Sequence, residues 1–391
     1  MNPKTFCIVP WAQTRIAPNG DLLPCCKIDF RQFPVTNISR INSFDEWWNG
    51  NNMKSLRQDL NSGVKSQFCQ SCWKDEAAGK SSLRQEYNKQ FAKHTDLKSI
   101  QDHNNGYNPS LPIVLDLNLS NICNFKCVMC TPYSSSRIGA ELKQHHDKFK
   151  DLPFVRDITG SYDPDWPEKE LFQNLLTDAA PNVKSLELKG GEPLLIKNLI
   201  SVIKSIPNKE QSTIAITTNG SVEIDNDFLE ELSKFKALWF FVSVDGIGKL
   251  GEYIRYGSHW EQVDGTIKKI SQLKNCTFRL SVVLQFSSPA TFPDIFEYAK
   301  SNSYDIELLM CRRPGYVTIN TVLPKEMKKF QDWAKLQLEE NPNIGYIKSL
   351  NGLLNEYSFD AELNSQCQQY ISTINSIRKN YCQAIEDLIS Q

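Results

Sequence analysis

The chain has 391 residues, 40% of them hydrophobic and 23% charged, and 44 basic against 45 acidic side chains leave a formal net charge of −1. That is the balance of a soluble globular protein with room for one large domain and a smaller one, and it offers no bulk electrostatic attraction for nucleic acid or membrane. Residues 1–4 run straight to Cys7 and Trp11 without the apolar stretch of a secretory signal, and no apolar run approaches the ~18–20 residues of a membrane span.

A cytoplasmic location is therefore expected. In a reducing compartment, twelve cysteines point to metal ligation and away from a disulfide framework. They fall into two groups, Cys7/Cys25/Cys26/Cys69/Cys72 and Cys123/Cys127/Cys130. The singletons Cys276, Cys311, Cys367 and Cys382 are expected to be buried small hydrophobes.

In chain order, residues 14–17 and 22–23 flank Pro18-Asn19-Gly20-Asp21, which reads as a hairpin turn needing a positive φ. Ser43-Phe44-Asp45-Glu46 has capping-box spacing and should open a helix. A second helix is expected over 53–60, stopped near Gly63. Residues 73–100 look helical, charged and mostly exposed, and the polar stretch 102–109 reads as a linker. Beyond it six apolar or β-branched runs read as strands: 113–119, 183–188, 213–217, 238–244, 277–284 and 306–310. Amphipathic stretches separate most of them, such as Phe228/Leu229/Leu232/Phe235 and Ile267/Ile270/Leu273. Such alternation predicts an α/β fold with a parallel sheet and right-handed crossovers. Six units predict a partial (β/α)6 barrel. The tail should be helical, with apolar stripes Met327/Phe330/Trp333/Leu336 or Leu338, and Tyr370/Ile374/Ile377. The expected domains are a Cys-rich module over 1–80, a helical linker over 81–111, the barrel over 112–315 and a helical region over 316–391.

Cys123-Asn124-Phe125-Lys126-Cys127-Val128-Met129-Cys130 follows the first of these strands with the spacing C-x3-C-x2-C. In parallel α/β barrels the chemistry sits on loops at the C-terminal ends of strands. Thiolates suit iron–sulfur clusters or zinc. Three cysteines reach three corners of a cubane and leave one iron open for a chelating ligand, such as an amino and carboxylate pair. A structural zinc site needs a fourth ligand, and none follows closely before His145.

At these residues the chain resembles the radical S-adenosylmethionine superfamily. The resemblance implies a [4Fe–4S] cluster on Cys123, Cys127 and Cys130. That cluster reductively cleaves S-adenosylmethionine to a 5′-deoxyadenosyl radical, which abstracts hydrogen from a substrate C–H bond. Met129 stands where the family usually has an aromatic residue, and its thioether suits packing on adenine. Lys189-Gly190-Gly191-Glu192-Pro193 resembles the family's Gly-Gly-Glu-Pro element along the methionine amino group, where glycines allow close backbone approach. Thr217 and Asn219 end the third strand, and Ser243 and Asp245 end the fourth. They resemble the family's polar contacts to S-adenosylmethionine. Arg255 resembles the arginine that pairs with the methionine carboxylate through its planar fork. Val283-Leu284-Gln285 would line the adenine and substrate side. Arg312-Arg313, after the sixth strand, suits either an anionic substrate group or a solvated surface.

Cys7, Gly20, Cys25 and the Cys69-x2-Cys72 pair resemble the twitch form of the SPASM domain, a half-sized auxiliary-cluster module that here precedes the radical core. The resemblance implies a fully ligated auxiliary [4Fe–4S] cluster suited to electron transfer. Either Cys25 or Cys26 is available as the ligand, and the spacing also fits a zinc ribbon. Pro10, Trp11, Phe68 and Trp73 are expected to form the module's core.

The implied activity is an oxidoreductase acting on a small molecule or peptide, anionic if the arginine pair serves it. A two-electron oxidation would pass one electron through the auxiliary cluster, fed by a donor such as flavodoxin or ferredoxin. A redox-neutral epimerase, with Cys311 as hydrogen donor, is the alternative within this chemistry. A non-enzymatic zinc protein stacking Trp47, Trp48 and Trp73 on bases is the alternative outside it, disfavoured by the net charge. Membrane association is not expected.

Overall fold

The computed structural model describes residues 4–29, 32–77, 81–91, 105–155 and 165–390. Its contacts divide the chain into two compact units. The first comprises Met1–Asn121, Ser161–Ile216 and Asn226–Leu238, and the second Ile122–Gly160, Thr217–Asp225 and Trp239–Gln391.

In the first unit the strands are β1 (Gln13–Ile16), β2 (Asp21–Leu23), β3 (Thr36–Asn37), β4 (Val114–Asn118), β5 (Ser185–Lys189) and β6 (Thr213–Thr218). Their order is β3-β2-β1-β4-β5-β6. The pairs β1/β4, β4/β5 and β5/β6 are parallel, with Asp116 opposite both Arg15 and Glu187. The expected hairpin forms: β1 and β2 pair antiparallel with Ile16 opposite Leu22. Gly20 has φ 83° at the turn. Strand alternation sorts the side chains. Leu115, Leu117, Leu186, Leu188, Ile214 and Ile216 are all buried. On the opposite face Asp116 takes Arg15 at 2.8 Å and Lys189 at 3.4 Å, while Glu187 takes Lys189 at 2.7 Å and the Tyr87 hydroxyl at 3.0 Å.

The Cys-rich segment is built round buried Arg57, which donates to the carbonyls of Pro10, Trp48 and Gly106 and stacks on Trp48 at 4.5 Å. The polar stretch read as a linker is packed where it is described: Asn108 donates to the Trp11 carbonyl at 3.0 Å. Residues 101–104 and 92–100 lie outside the described residues, as does part of the expected helix over 73–100. The described part holds Gln70–Ala77 and Leu83–Phe91. The helix Phe44–Trp48 starts where expected, but Ser43 makes no side-chain cap, and Glu46 accepts from the Asn42 amide instead. The next helix, Asn51–Ser62, ends on Gly63 with φ 97°. Trp47, Trp48 and Trp73 are buried, with Trp48 donating to the Ser110 carbonyl, so they present no faces for stacking bases.

The second unit holds β7 (Ala237–Ser243) from Trp239 on, β8 (Cys276–Leu284) and β9 (Asp305–Met310), in that order, with β8 and β9 parallel. Its helices include Ser136–Gln144, Gly248–Ile254, Trp260–Ser271, Pro324–Glu340 and Ala361–Arg378. Strands β4 to β9 are the six of the α/β partial barrel. Along Pro324–Glu340 the buried residues are Met327, Phe330, Ala334 and Gln337, whereas Leu336 is 49% exposed. At ~100° per residue Leu336 lies about 180° from Met327 while Leu338 returns to its face. Among the described residues no helix is long and apolar enough to cross a membrane.

Candidate active site and thiol pocket

The loop after β4 is held by its own backbone and by neighbours in the second unit. The Phe125 amide points to Cys123 Sγ at 3.5 Å, and the Cys130 amide bonds the Cys127 carbonyl at 3.0 Å. The amides of Lys126 and Val128 bond the carbonyls of Tyr256 and Ile254, both at 2.8 Å. Asn219 donates to Asn124 Oδ1 at 2.9 Å and lies 3.9 Å from Cys123 Sγ. Its own oxygen accepts from the amide and hydroxyl of Ser221, and Asn124 reaches back to Ser221 at 2.8 Å. Asn219 thus braces the cysteine loop from the end of β6. The partners Asn124 and Ser221 carried no signal in the sequence beyond adjacency to the motifs.

The three thiols feel one another. Burial pushes the Cys127 thiol up to about 11, against the pull of Arg255, and Cys123 adds to the rise. Burial raises Cys130 further, with Cys127 and Cys123 contributing. Thiols that mutually oppose ionisation are stabilised as thiolates by a cationic metal centre, which inverts that electrostatic logic. This donor set therefore fits a thiolate-bound cluster.

Arg255 and Ser243 line one small cavity with Glu252 and Trp260. Arg255 is gripped by Asp245 at 2.5 Å, while the other Asp245 oxygen accepts the Val283 amide at 2.9 Å. Both carboxylate oxygens are thus engaged within the protein. The Arg255 Nε is buried without a hydrogen-bond partner among the described residues. Thr217 and Met129 are half-buried. Gln285 is wholly buried, and neither side-chain atom of its amide has a partner there. Cys311 is buried at the end of β9, its thiol pushed up to about 12 by burial. Arg312 and Arg313 are exposed.

The Gly190–Pro193 turn belongs to the first unit. Gly190 has φ 139°, and a Cβ there would stand 2.7 Å from the Ser120 carbonyl oxygen. The Gly191 amide bonds the same oxygen at 3.0 Å. Ser120 lies three residues before Cys123 in the chain, so only glycine lets these two strand ends close. Glu192 is fully buried and accepts the Leu194 amide at 3.1 Å, capping the turn that Pro193 begins.

Cys7, Cys25, Cys69 and Cys72, all in the first unit, line a single cavity with Val9, Pro10, Leu56 and Leu60. The thiols of Cys7 and Cys25 are raised chiefly by burial and then by neighbouring cysteines. Cys26 is exposed and not part of that lining, and the charges of Arg15, Asp116 and Lys189 bear on its thiol. Arg84 closes the pocket wall, locked by Glu76 at 2.7 and 2.8 Å and by the Phe6 carbonyl at 2.7 Å. Among the described residues no three His, Cys, Asp or Glu side chains are drawn together so as to hold a metal ion directly. The four thiols share the wall of a largely apolar cavity that Lys27 and Arg84 also line, and that donor set fits a thiolate-bound cluster.

A model described as the radical SAM superfamily matches residues 117–299, and one described as an iron–sulfur cluster-binding domain, SPASM, matches residues 7–73. The chain belongs to the radical S-adenosylmethionine superfamily. As a member it uses a [4Fe–4S] cluster with S-adenosylmethionine, and its SPASM-type module carries an auxiliary iron–sulfur cluster. Curated relatives include a GTP 3′,8-cyclase of Mannheimia succiniciproducens, 28% identical over 34% of this chain and 33% of that protein. Another, from Synechocystis, is 24% identical over 52% of this chain and 55% of that protein. The chain thus spans a third to about half of the length of these relatives. A solved structure described as native anSMEcpe with bound AdoMet is 19% identical, with TM-score 0.40 over 58% of this chain and 60% of that one. Streptococcus suis SuiB bound to S-adenosylmethionine is 14% identical, with TM-score 0.37 over 90% and 71%.

Proposed function

We propose that this radical S-adenosylmethionine enzyme holds its radical cluster on Cys123, Cys127 and Cys130 and directs a 5′-deoxyadenosyl radical at a substrate C–H bond. The outcome is a two-electron oxidation, for which Cys7, Cys25, Cys69 and Cys72 would hold an auxiliary cluster able to accept the second electron. The observation that carries the last step is that all four of these cysteines line one largely apolar cavity. Four protein thiolates complete the valence of a cubane and leave no iron for substrate, which suits electron transfer. When bound, the radical cluster supplies the electron that cleaves the sulfonium.

The chain's own residues orient the cofactor. Arg255, fixed by Asp245, presents its remaining Nε to the methionine carboxylate in a buried setting where a charge-assisted bond is strong. The Gly190–Gly191 backbone receives the amino group, with Glu192 and Pro193 shaping the turn. Ser243 and Thr217 present hydroxyls to the ribose side, Met129 packs on adenine, and Asn219 holds the loop itself. The substrate is a small molecule or peptide. An anionic group on it would meet Arg312 and Arg313, and flavodoxin or ferredoxin would deliver the electron in the cytoplasm.

The names of the curated relatives support a second reading, in which the substrate radical closes a ring without net oxidation. The test is anaerobic reconstitution followed by dithionite-driven turnover. Wild type should release 5′-deoxyadenosine, and the Cys123/Cys127/Cys130→Ala variant should release none. Product analysis decides the outcome: a product two hydrogens lighter supports oxidation, and an isomer supports ring closure or epimerisation. A Cys311→Ala variant that turns over normally removes that thiol as a hydrogen donor. Retained cleavage in the triple variant would sink the ligand assignment.

A further inference from the structure

The helix Ala361–Arg378 lies outside the stretch matched by the superfamily model. Within the second unit it nevertheless reaches the cysteine loop at two points. The Tyr370 hydroxyl donates to the Val128 carbonyl at 3.2 Å. Arg378 grips Glu141 with two bonds, Nε to Oε1 at 3.2 Å and Nη2 to Oε2 at 2.7 Å. Glu141 in turn accepts from Lys126 Nζ at 2.6 Å. Lys126 and Val128 are the two chain neighbours of Cys127. The Tyr256 ring lies 4.9 Å from Lys126 Nζ and 5.0 Å from the Arg378 guanidinium, giving each cation an aromatic face.

The side chains of Glu141 and Arg378 are only 4% and 3% exposed. An apolar pair of the same volume would hold two helices at least as well, because burying two charges costs as much as their attraction returns. A structural staple alone therefore does not account for charge at this place. Lys126, Glu141 and Arg378 sum to one net positive charge, and both Arg255 and Arg378 bear on the Cys127 thiol.

We propose that Arg378 and Glu141 are positioning residues that, with Tyr370, clamp both flanks of Cys127 and, with Lys126, set the reduction potential of the radical cluster through the one net positive charge the three charged groups leave beside it. The inference rests on the reading that Cys123, Cys127 and Cys130 hold that cluster. Reduction adds one negative charge to a cluster, so a nearby cation stabilises the reduced state and raises the potential. The two partners must then act with opposite sign. Arg378→Gln removes a positive charge and lowers the potential. Glu141→Gln removes a negative charge and raises it. Arg378→Lys keeps the charge and stays near wild type.

The test uses the full reconstituted chain in a redox titration followed by electron paramagnetic resonance, reading the cluster whose spectrum shifts when S-adenosylmethionine is added. Hydrogen exchange over 123–130 is read on the same samples. The expected result is opposite shifts in the two Gln variants, with loop protection lost in Arg378→Gln and restored by Lys. Unchanged potentials, or shifts of one sign in both Gln variants, overturn the proposal while leaving the ligand assignment intact. Should Arg378→Gln not fold, Glu141→Gln against Arg378→Lys still carries the sign. A cluster that persists, with its response to S-adenosylmethionine, in the triple Cys→Ala variant would instead overturn the reading on which the proposal rests.

Discussion

Cys25 and Cys26 are adjacent and chemically identical, yet the fold separates their environments. Cys25 lines the cavity with Cys7, Cys69 and Cys72, whereas Cys26 sits by the charges of Arg15, Asp116 and Lys189. Cys25→Ala should therefore lose the auxiliary iron, about four atoms per chain on reconstitution, and Cys26→Ala should keep it. Equal loss in both would show that the two thiols exchange. Beside them, the Asp116 carboxyl is held below its ordinary value: burial opposes its charge, and Arg15 and then Lys189 outweigh that. A depressed carboxyl contributes stability that is fully present above its ordinary pKa of ~4 and is lost as pH falls through the lower folded value. Asp116→Asn leaves both cations facing a neutral amide and should cost about 3–5 kcal/mol in denaturant unfolding at neutral pH. That deficit should shrink on acidification below pH ~4, because the wild type loses the same charge. A deficit that does not shrink would mean the carboxylate charge is not its source.

Elements whose signal is local were legible. The six strands run within two residues of their expected ends because each is a short apolar or β-branched run; β6 and β7 alternate buried and half-buried residues, whereas β4 is buried throughout. The hairpin was legible because Asn19-Gly20 offers the positive φ its turn requires. A Cβ on Gly20 would also stand 3.1 Å from the Trp166 ring and 3.2 Å from Ile38, so Gly20→Ala combines backbone strain with crowding. It should destabilise by about 1–3 kcal/mol and lower auxiliary-iron retention, since β2 leads directly into Cys25. A variant with wild-type stability and iron would show that the turn relaxes freely. The cap at Ser43 was misread because spacing alone does not say which amide Glu46 will take. The grip on the cysteine loop was not legible at all. Glu141 and Arg378 are 237 residues apart, and nothing in either segment marks the other. The same holds for Asn219, whose side chain is engaged by Asn124 and Ser221 although its motif suggests a direct cofactor contact.

Across the whole molecule, each proposed ligand set lies within one compact unit: Cys7, Cys25, Cys69 and Cys72 in the first, and Cys123, Cys127 and Cys130 in the second. Without iron, burial holds most of these thiols protonated, and the cavity among the first four is lined by side chains that need something to pack against. Binding energy gained at each set is then folding energy of its own unit, because the unfolded chain offers no preformed site. Two consequences follow for the full chain. Removing either set by Cys→Ala substitution should remove about half of roughly eight irons and leave the other half in place. Hydrogen exchange of the iron-free protein should show lost protection over 5–29 and 66–77 when the first set is empty, and over 123–130 when the second is. If removing one set empties both, assembly is sequential and the two units do not load independently. If iron falls by half but protection is unchanged everywhere, the clusters occupy sites that fold without them, and the four-thiol pocket is already rigid before metal arrives.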